Sequence, residues 1–128
     1  MALSENQIGT HILDAAFTVH KNLGPGLLES IYQACLQYEL QAKNIHIEFQ
    51  VPMPVINKDT KMECGFRPDL IVEKKVIVEI KSIEQFHEIH MAQIMTYLKL
   101  SGCKLGYLIN FNVLFLKMGI KRVIMGKI

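Results

Sequence analysis

Hydrophobic residues recur at helical spacing in two early stretches and one later stretch, and alternate like strands between and after them. Ile8, Ile12, Ala15, Ala16 and Val19 predict a helix over 5–22. The breaker Gly24-Pro25-Gly26 stops it. A second helix is predicted over 27–42, with Leu28, Ile31, Tyr32, Cys35, Leu36 and Leu40 on one face. The stretch 46–56 carries Pro52 and Pro54, which suits an edge strand. Asn57-Lys58-Asp59-Thr60 reads as a turn and 61–66 as the returning strand. Asp69–Val72 and Val76–Lys81 are apolar strands joined by Glu73-Lys74-Lys75, a loop of hairpin length. A third helix covers 86–101 and ends at Gly102. Strands are expected at 105–110, 113–116 and 120–125. This order predicts one α/β domain over 1–128, with helices packed on a central mixed sheet.

Composition narrows the class. Of 128 residues, 50% are hydrophobic and 20% charged, enough for a real core and unlike a disordered tail. The three cysteines are widely spaced and form no CxxC, which argues against a disulfide framework or structural zinc and fits a reducing cytoplasm. The uncharged stretch Leu105–Leu116 is too short to cross a bilayer. Glu5 and Asp14 inside the first apolar pattern speak against a signal peptide. Charge is uneven. Residues 1–88 hold all twelve Asp/Glu against eight Lys/Arg, whereas 89–128 hold six basic residues and no acid. Such an end suits a polyanion partner, although a solvated surface has a similar composition.

The hairpin over 69–81 carries the candidate chemistry. Alternation puts Ile77, Glu79 and Lys81 on one side and Val76, Val78 and Ile80 on the other, an all-apolar side that must be buried. A loop centred on Lys74 places Asp69 opposite Glu79, with Cβ atoms roughly 5 Å apart. Two carboxylates that close repel by about 3 kcal/mol at an effective dielectric near 20. A cation, a shared proton or Lys81 must offset this. A divalent metal is the economical answer, because oxygen-only ligands suit Mg²⁺ or Mn²⁺. The same register sets Arg67 against Lys81, a like-charge pair that makes sense beside an anion. An Asp, a Glu and a Lys this close also arise by chance, and Glu73-x-Lys75 repeats the spacing in the loop. Glu79 and Lys81 differ in interrupting an apolar run.

Pro68-Asp69 followed by Glu79-Ile80-Lys81 resembles the signature of the PD-(D/E)xK nuclease superfamily. Gly26-Leu27-Leu28-Glu29-Ser30-Ile31-Tyr32 is similar to the motif of its GxxExxY family. Gly65 to Leu70, Gln93 to Leu98 and Leu108-Ile109-Asn110-Phe111 extend the resemblance over about residues 5–124. It implies a restriction-endonuclease-like αβββαβ core, plus an extra N-terminal helix and C-terminal strands, and magnesium-dependent cleavage of nucleic acid, with DNA as the default. Asp69 and Glu79 become metal ligands, and Glu29 matches a helical acid that completes the metal site. Lys81 orients or activates the attacking water and neutralises phosphate charge. Gln93 and Tyr97 resemble the Q-x-x-x-Y pair of the exonuclease-like branch. Lys121 and Arg122, with Arg67 and Lys81, are candidate nucleic-acid contacts.

Each residue also has a plainer reading. Glu29 sits in a first helical turn, where the dipole favours a carboxylate. Gln93 and Tyr97 share a face with Phe86, Ile89, His90 and Leu100, opposite Gln85, Glu88 and Lys99, so Gln93 points inward as an amide that needs partners. His90 reads as structural, Phe66, Phe111 and Phe115 as core, and Met91 and Met95 as helix packing. Two functional alternatives stand beside the nuclease. One is a catalytically silent nuclease-fold module that binds nucleic acid or a protein. The other is a plain α/β domain whose Asp69–Lys81 and Glu79–Arg67 contacts are structural ion pairs. A domain this small has little surface with which to grip a duplex, which suits a homodimer.

Overall fold

The structure is a computed structural model and describes residues 2–128. Helix α1 (Glu5–Leu23) begins at Ser4, whose hydroxyl accepts the Gln7 amide while the Ser4 amide donates to the Gln7 side chain. This reciprocal cap satisfies two amides that the helix cannot. Its stripe Ile8, Ile12, Ala15, Ala16 and Val19 is buried, as the spacing predicts. Helix α2 (Glu29–Ala42) buries Tyr32, Leu36 and Leu40. Leu28 and Ile31, expected on the same face, are instead 73% and 43% exposed. Leu28 is the extended residue before the helix, so helical periodicity does not govern it.

The stretch 46–56 is two strands rather than one, β1 (Ile47–Phe49) and β2 (Met53–Asn57). Between them Pro52 offers no N–H, and Gln50 adopts a positive φ of 49°. The Gln50 amide turns away to donate to the carbonyls of Pro68 and Asp69 (3.1 and 3.2 Å). Strand β3 (Thr60–Phe66) pairs only with β2, as a hairpin outside the main sheet. The main sheet adds β4 (Leu70–Val72), β5 (Val76–Lys81), β6 (Leu105–Asn110) and β7 (Ile120–Ile124), in the order β1-β4-β5-β6-β7. Only β5 and β6 are parallel, and α3 (Glu88–Ser101) connects them. The order α2-β1-β4-β5-α3-β6 is the αβββαβ core, with β2 and β3 inserted after its first strand. Helix α1 and the single strand β7 are additions.

Each sheet face has its own core. Val76, Val78 and Ile80 pack toward α1 and α2, while Ile77 packs with Leu108 and with Ile94 and Leu98 of α3. At roughly 1.5–3 kcal/mol per buried aliphatic side chain, the larger α1/α2 core dominates stability, leaving the thinner α3 side free to carry polar groups. Gly106 sets how α3 sits: a Cβ there would fall 3.0 Å from the Ile94 Cδ1. With Ile94 and Leu98 seated on β6, Ile89 and Leu100 turn outward (70% and 40% exposed), contrary to the expected buried face.

Residues 113–116 are not a strand. Ile109 pairs with Ile120, so the midpoint of the β6–β7 connection falls between Leu114 and Phe115. These residues must turn, and a 3-10 turn over Leu116–Gly119 follows. Phe115 is therefore 68% exposed rather than core, whereas Phe66 and Phe111 are buried.

Candidate active site

The β4–β5 register pairs Leu70 with Val78, Ile71 with Ile77 and Val72 with Val76, which is the register centred on Lys74. Glu73 and Lys74 both take positive φ (52° and 57°), the sense that tight hairpin turns require. One step beyond the ladder, Asp69 and Glu79 meet. The Asp69 amide donates to Glu79 Oε2, and the Ile80 amide donates to Asp69 Oδ2, both at 2.8 Å. Each carboxylate thus satisfies a main-chain amide just past the end of the β4–β5 ladder. One oxygen of each carboxylate is left over.

Glu79 is only 4% exposed. Burial, and then the Asp69 charge, push its carboxyl up to about 8, while the Asp69 amide and Lys81 oppose the shift. The carboxyl of Glu79 therefore favours its protonated form at neutral pH. Lys81, the last residue of β5, is half-buried on the same face. Among the described residues, the ion pairs are His46–Glu48 and Lys61–Glu63. Neither Asp69–Lys81 nor Glu79–Arg67 is joined, which removes the structural ion-pair reading. Arg67 does not stand against Lys81 either: pairing stops at Leu70, and the exposed Arg67 donates through Nε to Cys64 Sγ.

Helix α3 lines the pair from above. Tyr97 stacks on Phe66 with ring centroids 4.7 Å apart. Burial, followed by the charges of Glu79 and Asp69, raises its phenol, and a bond from the Gln93 side chain opposes this. One and two turns earlier on that face lie Gln93 and then His90. The His90 imidazole is lowered by burial first and then by Lys81 and His87, with Glu29 acting upward. His90 Nδ1 accepts the His87 amide (3.0 Å), so its proton sits on Nε2. Tyr97 thus stands at the carboxylate end of the site and His90 at the lysine end.

Glu29 arrives from the other face. Tyr32, fully buried, stacks on Phe111 with centroids 4.5 Å apart. Its hydroxyl donates to the Gly24 carbonyl (2.6 Å) and accepts the Leu27 amide (3.1 Å), folding the Gly24–Leu27 loop back onto α2. The folded loop meets the end of β5, where Ser82 Oγ donates to the Leu27 carbonyl (2.6 Å) and the Ser82 amide to Glu29 Oε2 (3.2 Å). Glu29 therefore bridges elements rather than capping its own helix. It stays apart from Asp69 and Glu79: among the described residues, no three His, Cys, Asp or Glu side chains converge as a metal cage.

Ser82 and Asn110 position the site's backbone, a part that the motifs did not single out for chemistry. Asn110, 2% exposed, pairs with Lys81 across the parallel strands. Its Oδ1 accepts the Ile83 and Asn112 amides and its Nδ2 donates to the Ile83 carbonyl, fixing the chain just past Lys81. A polar residue ending an apolar strand was the available signal. The two C-terminal basic residues separate. Lys121 lies opposite Leu108, itself opposite Glu79, so Lys121 shares the site's face two strands away. Arg122 lies opposite Tyr107 on the other face and donates to Asn6 of α1.

A sheet of this order, bearing two carboxylates and a lysine on its central hairpin, is a restriction-endonuclease-like fold. The family model described as PD-(D/E)XK nuclease superfamily matches residues 6–123, and the chain belongs to that superfamily. Comparison with curated proteins and with solved structures gives no match. No helix among the described residues is long and apolar enough to cross a membrane.

Proposed function

We propose that this chain is a divalent-metal-dependent nuclease of the GxxExxY kind that hydrolyses phosphodiester bonds in DNA. The observation that carries the reading is the buried Asp69–Glu79 pair, held by reciprocal amide bonds, whose closeness and burial raise the Glu79 carboxyl. The donor set fits a hard ion such as Mg²⁺ or Mn²⁺, since it offers carboxylate oxygens and no sulfur. Asp69 and Glu79 would hold the ion, with Glu29 as an outer carboxylate at the lysine end. Bound there, a divalent ion supplies Lewis acidity toward a phosphoryl oxygen and the attacking water. Lys81 places positive charge where negative charge develops on the phosphoryl group. Its carbonyl accepts the Phe111 amide (3.0 Å), so the strand end that presents it is fixed. Gln93 and Tyr97 cover the carboxylates from α3 and limit water around them.

Titration with Mn²⁺, alongside cleavage of duplex DNA, tests this. The wild type should gain thermal stability with Mn²⁺ by mass action and cleave DNA with Mg²⁺ or Mn²⁺. Asp69→Asn should keep the Ile80 amide bond, relieve the repulsion, leave or raise Tm, and lose most Mn²⁺ affinity. Lys81→Ala should keep the metal but lose cleavage by about 100-fold or more, the scale of removing one transition-state charge contact. DNA binding that is indifferent to metal, with no cleavage, would point to the silent module instead.

A further inference from the structure

The β6–β7 connection exposes apolar surface that the catalytic reading leaves unused. Leu114, Phe115 and Met118 are 82%, 68% and 69% exposed, and Phe17 of α1 is 45% exposed. Phe17, Leu114 and Phe115, exposed around one cleft, call for an occupant. Phe17, Leu114 and Phe115 line a cleft of about 310 Å³ whose charged lining groups are Lys21 and Lys117, with His20 between the two walls. His20 Nε2 bonds the Val113 carbonyl at 2.8 Å, tying the loop to the helix. Among the described residues no acid lines the cleft; Asp14 lies one turn before Phe17 and outside it. A second copy docked through its own cleft would be a poor occupant, since it would bring lysines against lysines. Two aromatic walls flanked by cations suit an unpaired base attached to a phosphate backbone.

The cleft is also tied to the active site along the chain. Phe111, whose amide donates to the Lys81 carbonyl, is three residues before Leu114, so their Cα atoms lie within about 11 Å at full extension. Lys81 ends β5 and the cleft loop follows the end of β6, so both sit at the carboxyl ends of the parallel strands, where open α/β sheets place ligands. We propose that the Phe17–Phe115 cleft is a stacking site for an unpaired base, so that the protein takes single-stranded DNA across the end of its sheet, a few nucleotides from the phosphate at Lys81. This rests on the nuclease reading above and names its substrate class. Phe115 supplies the stacking face, and Lys21 and Lys117 meet the flanking phosphates.

The test is fluorescence anisotropy of the full chain in EDTA, which prevents cleavage. The probes are a labelled strand of about 20 nucleotides, longer than the roughly 4–16 that such a site covers, and the same sequence as a duplex. The wild type should bind the single strand more tightly. Phe115→Ala should weaken single-strand binding by about tenfold, the loss of one base–aromatic stack, and change duplex binding by less than about twofold. Phe115→Tyr should restore it. An unchanged single-strand affinity in Phe115→Ala, or an equal loss on duplex, overturns the proposal. So does a dimer that Phe115→Ala turns into a monomer, or binding to phosphatidylserine vesicles that the variant loses while its DNA binding stays. If the wild type cleaves DNA but shows no dependence on Phe115, only this inference fails. If it binds single strands through Phe115 yet cleaves nothing with Mg²⁺ or Mn²⁺, the nuclease reading fails and this one stands.

Discussion

Glu79 shows how one buried carboxyl links stability to pH. Its folded value near 8 lies above the 4.5 expected in the unfolded chain, so between those values the folded protein holds more protons. Stability is therefore favoured at low pH and falls as pH rises through about 8, with a total loss on the order of a few kcal/mol. The expected outcome is a Tm in EDTA that declines from pH 5 to pH 9, with a slope that Glu79→Gln abolishes. On the proposed reading metal reverses the sign, because an ion held by the deprotonated pair competes with its proton. Mn²⁺ affinity should rise by up to about tenfold per pH unit and level off above about 8, with a proton released on binding below it. Calorimetry in buffers of different ionisation enthalpy reads that proton. A flat Tm profile together with pH-independent Mn²⁺ binding would mean that the pair does not share a proton.

At the level of elements, the site is assembled from three separate pieces: the β4–β5 hairpin, the start of α2 and one face of α3. The hairpin was legible in the sequence because alternation and a short polar loop fix its register, and with it the Asp69–Glu79 approach. The α2 contribution was legible only as a motif, since nothing local shows that Glu29 meets Ser82, 53 positions away. The split of 46–56 and the turn at 113–116 were misread for the same reason. Propensity favours strand in Val113-Leu114-Phe115-Leu116, but the pairing of Ile109 with Ile120 forces them to turn. The α3 face was misjudged because Gly106 on another strand decides which side of the helix can seat. Glu29→Gln separates the readings at this scale. The amide oxygen can still accept from Ser82, so the docking survives and only charge is lost. The dipole contribution alone is about 0.3–1 kcal/mol. Cleavage should fall by about tenfold or more, beyond what that small stability change explains, and Mn²⁺ affinity should fall less than in Asp69→Asn. A shift confined to Tm would reduce Glu29 to a helix-start residue.

Over the whole molecule, the excess of basic residues after position 88 does not form a single patch, because the sheet deals its strand residues to two faces. Lys121, Leu108 and Glu79 form one row across β7, β6 and β5, so Lys121 projects on the catalytic face, about 10 Å from Glu79 at normal strand spacing. Arg122, one residue later, projects to the α1 face, and its guanidinium is engaged by Asn6. On the proposed reading, a DNA backbone that meets Lys81 can reach Lys121 but not Arg122. Neutralising a lysine that meets a phosphate weakens binding uniformly across sequences and lowers the slope of log affinity against log salt by about one unit. Lys121→Gln should do this, and Arg122→Gln should leave the slope unchanged while lowering Tm slightly through the lost Asn6 contact. The measurement is DNA affinity at a series of salt concentrations in EDTA for both variants and the wild type. Equal slopes for wild type and Lys121→Gln would place the DNA elsewhere than along this row. A change in Arg122→Gln alone would put it on the face of α1, away from the carboxylate pair.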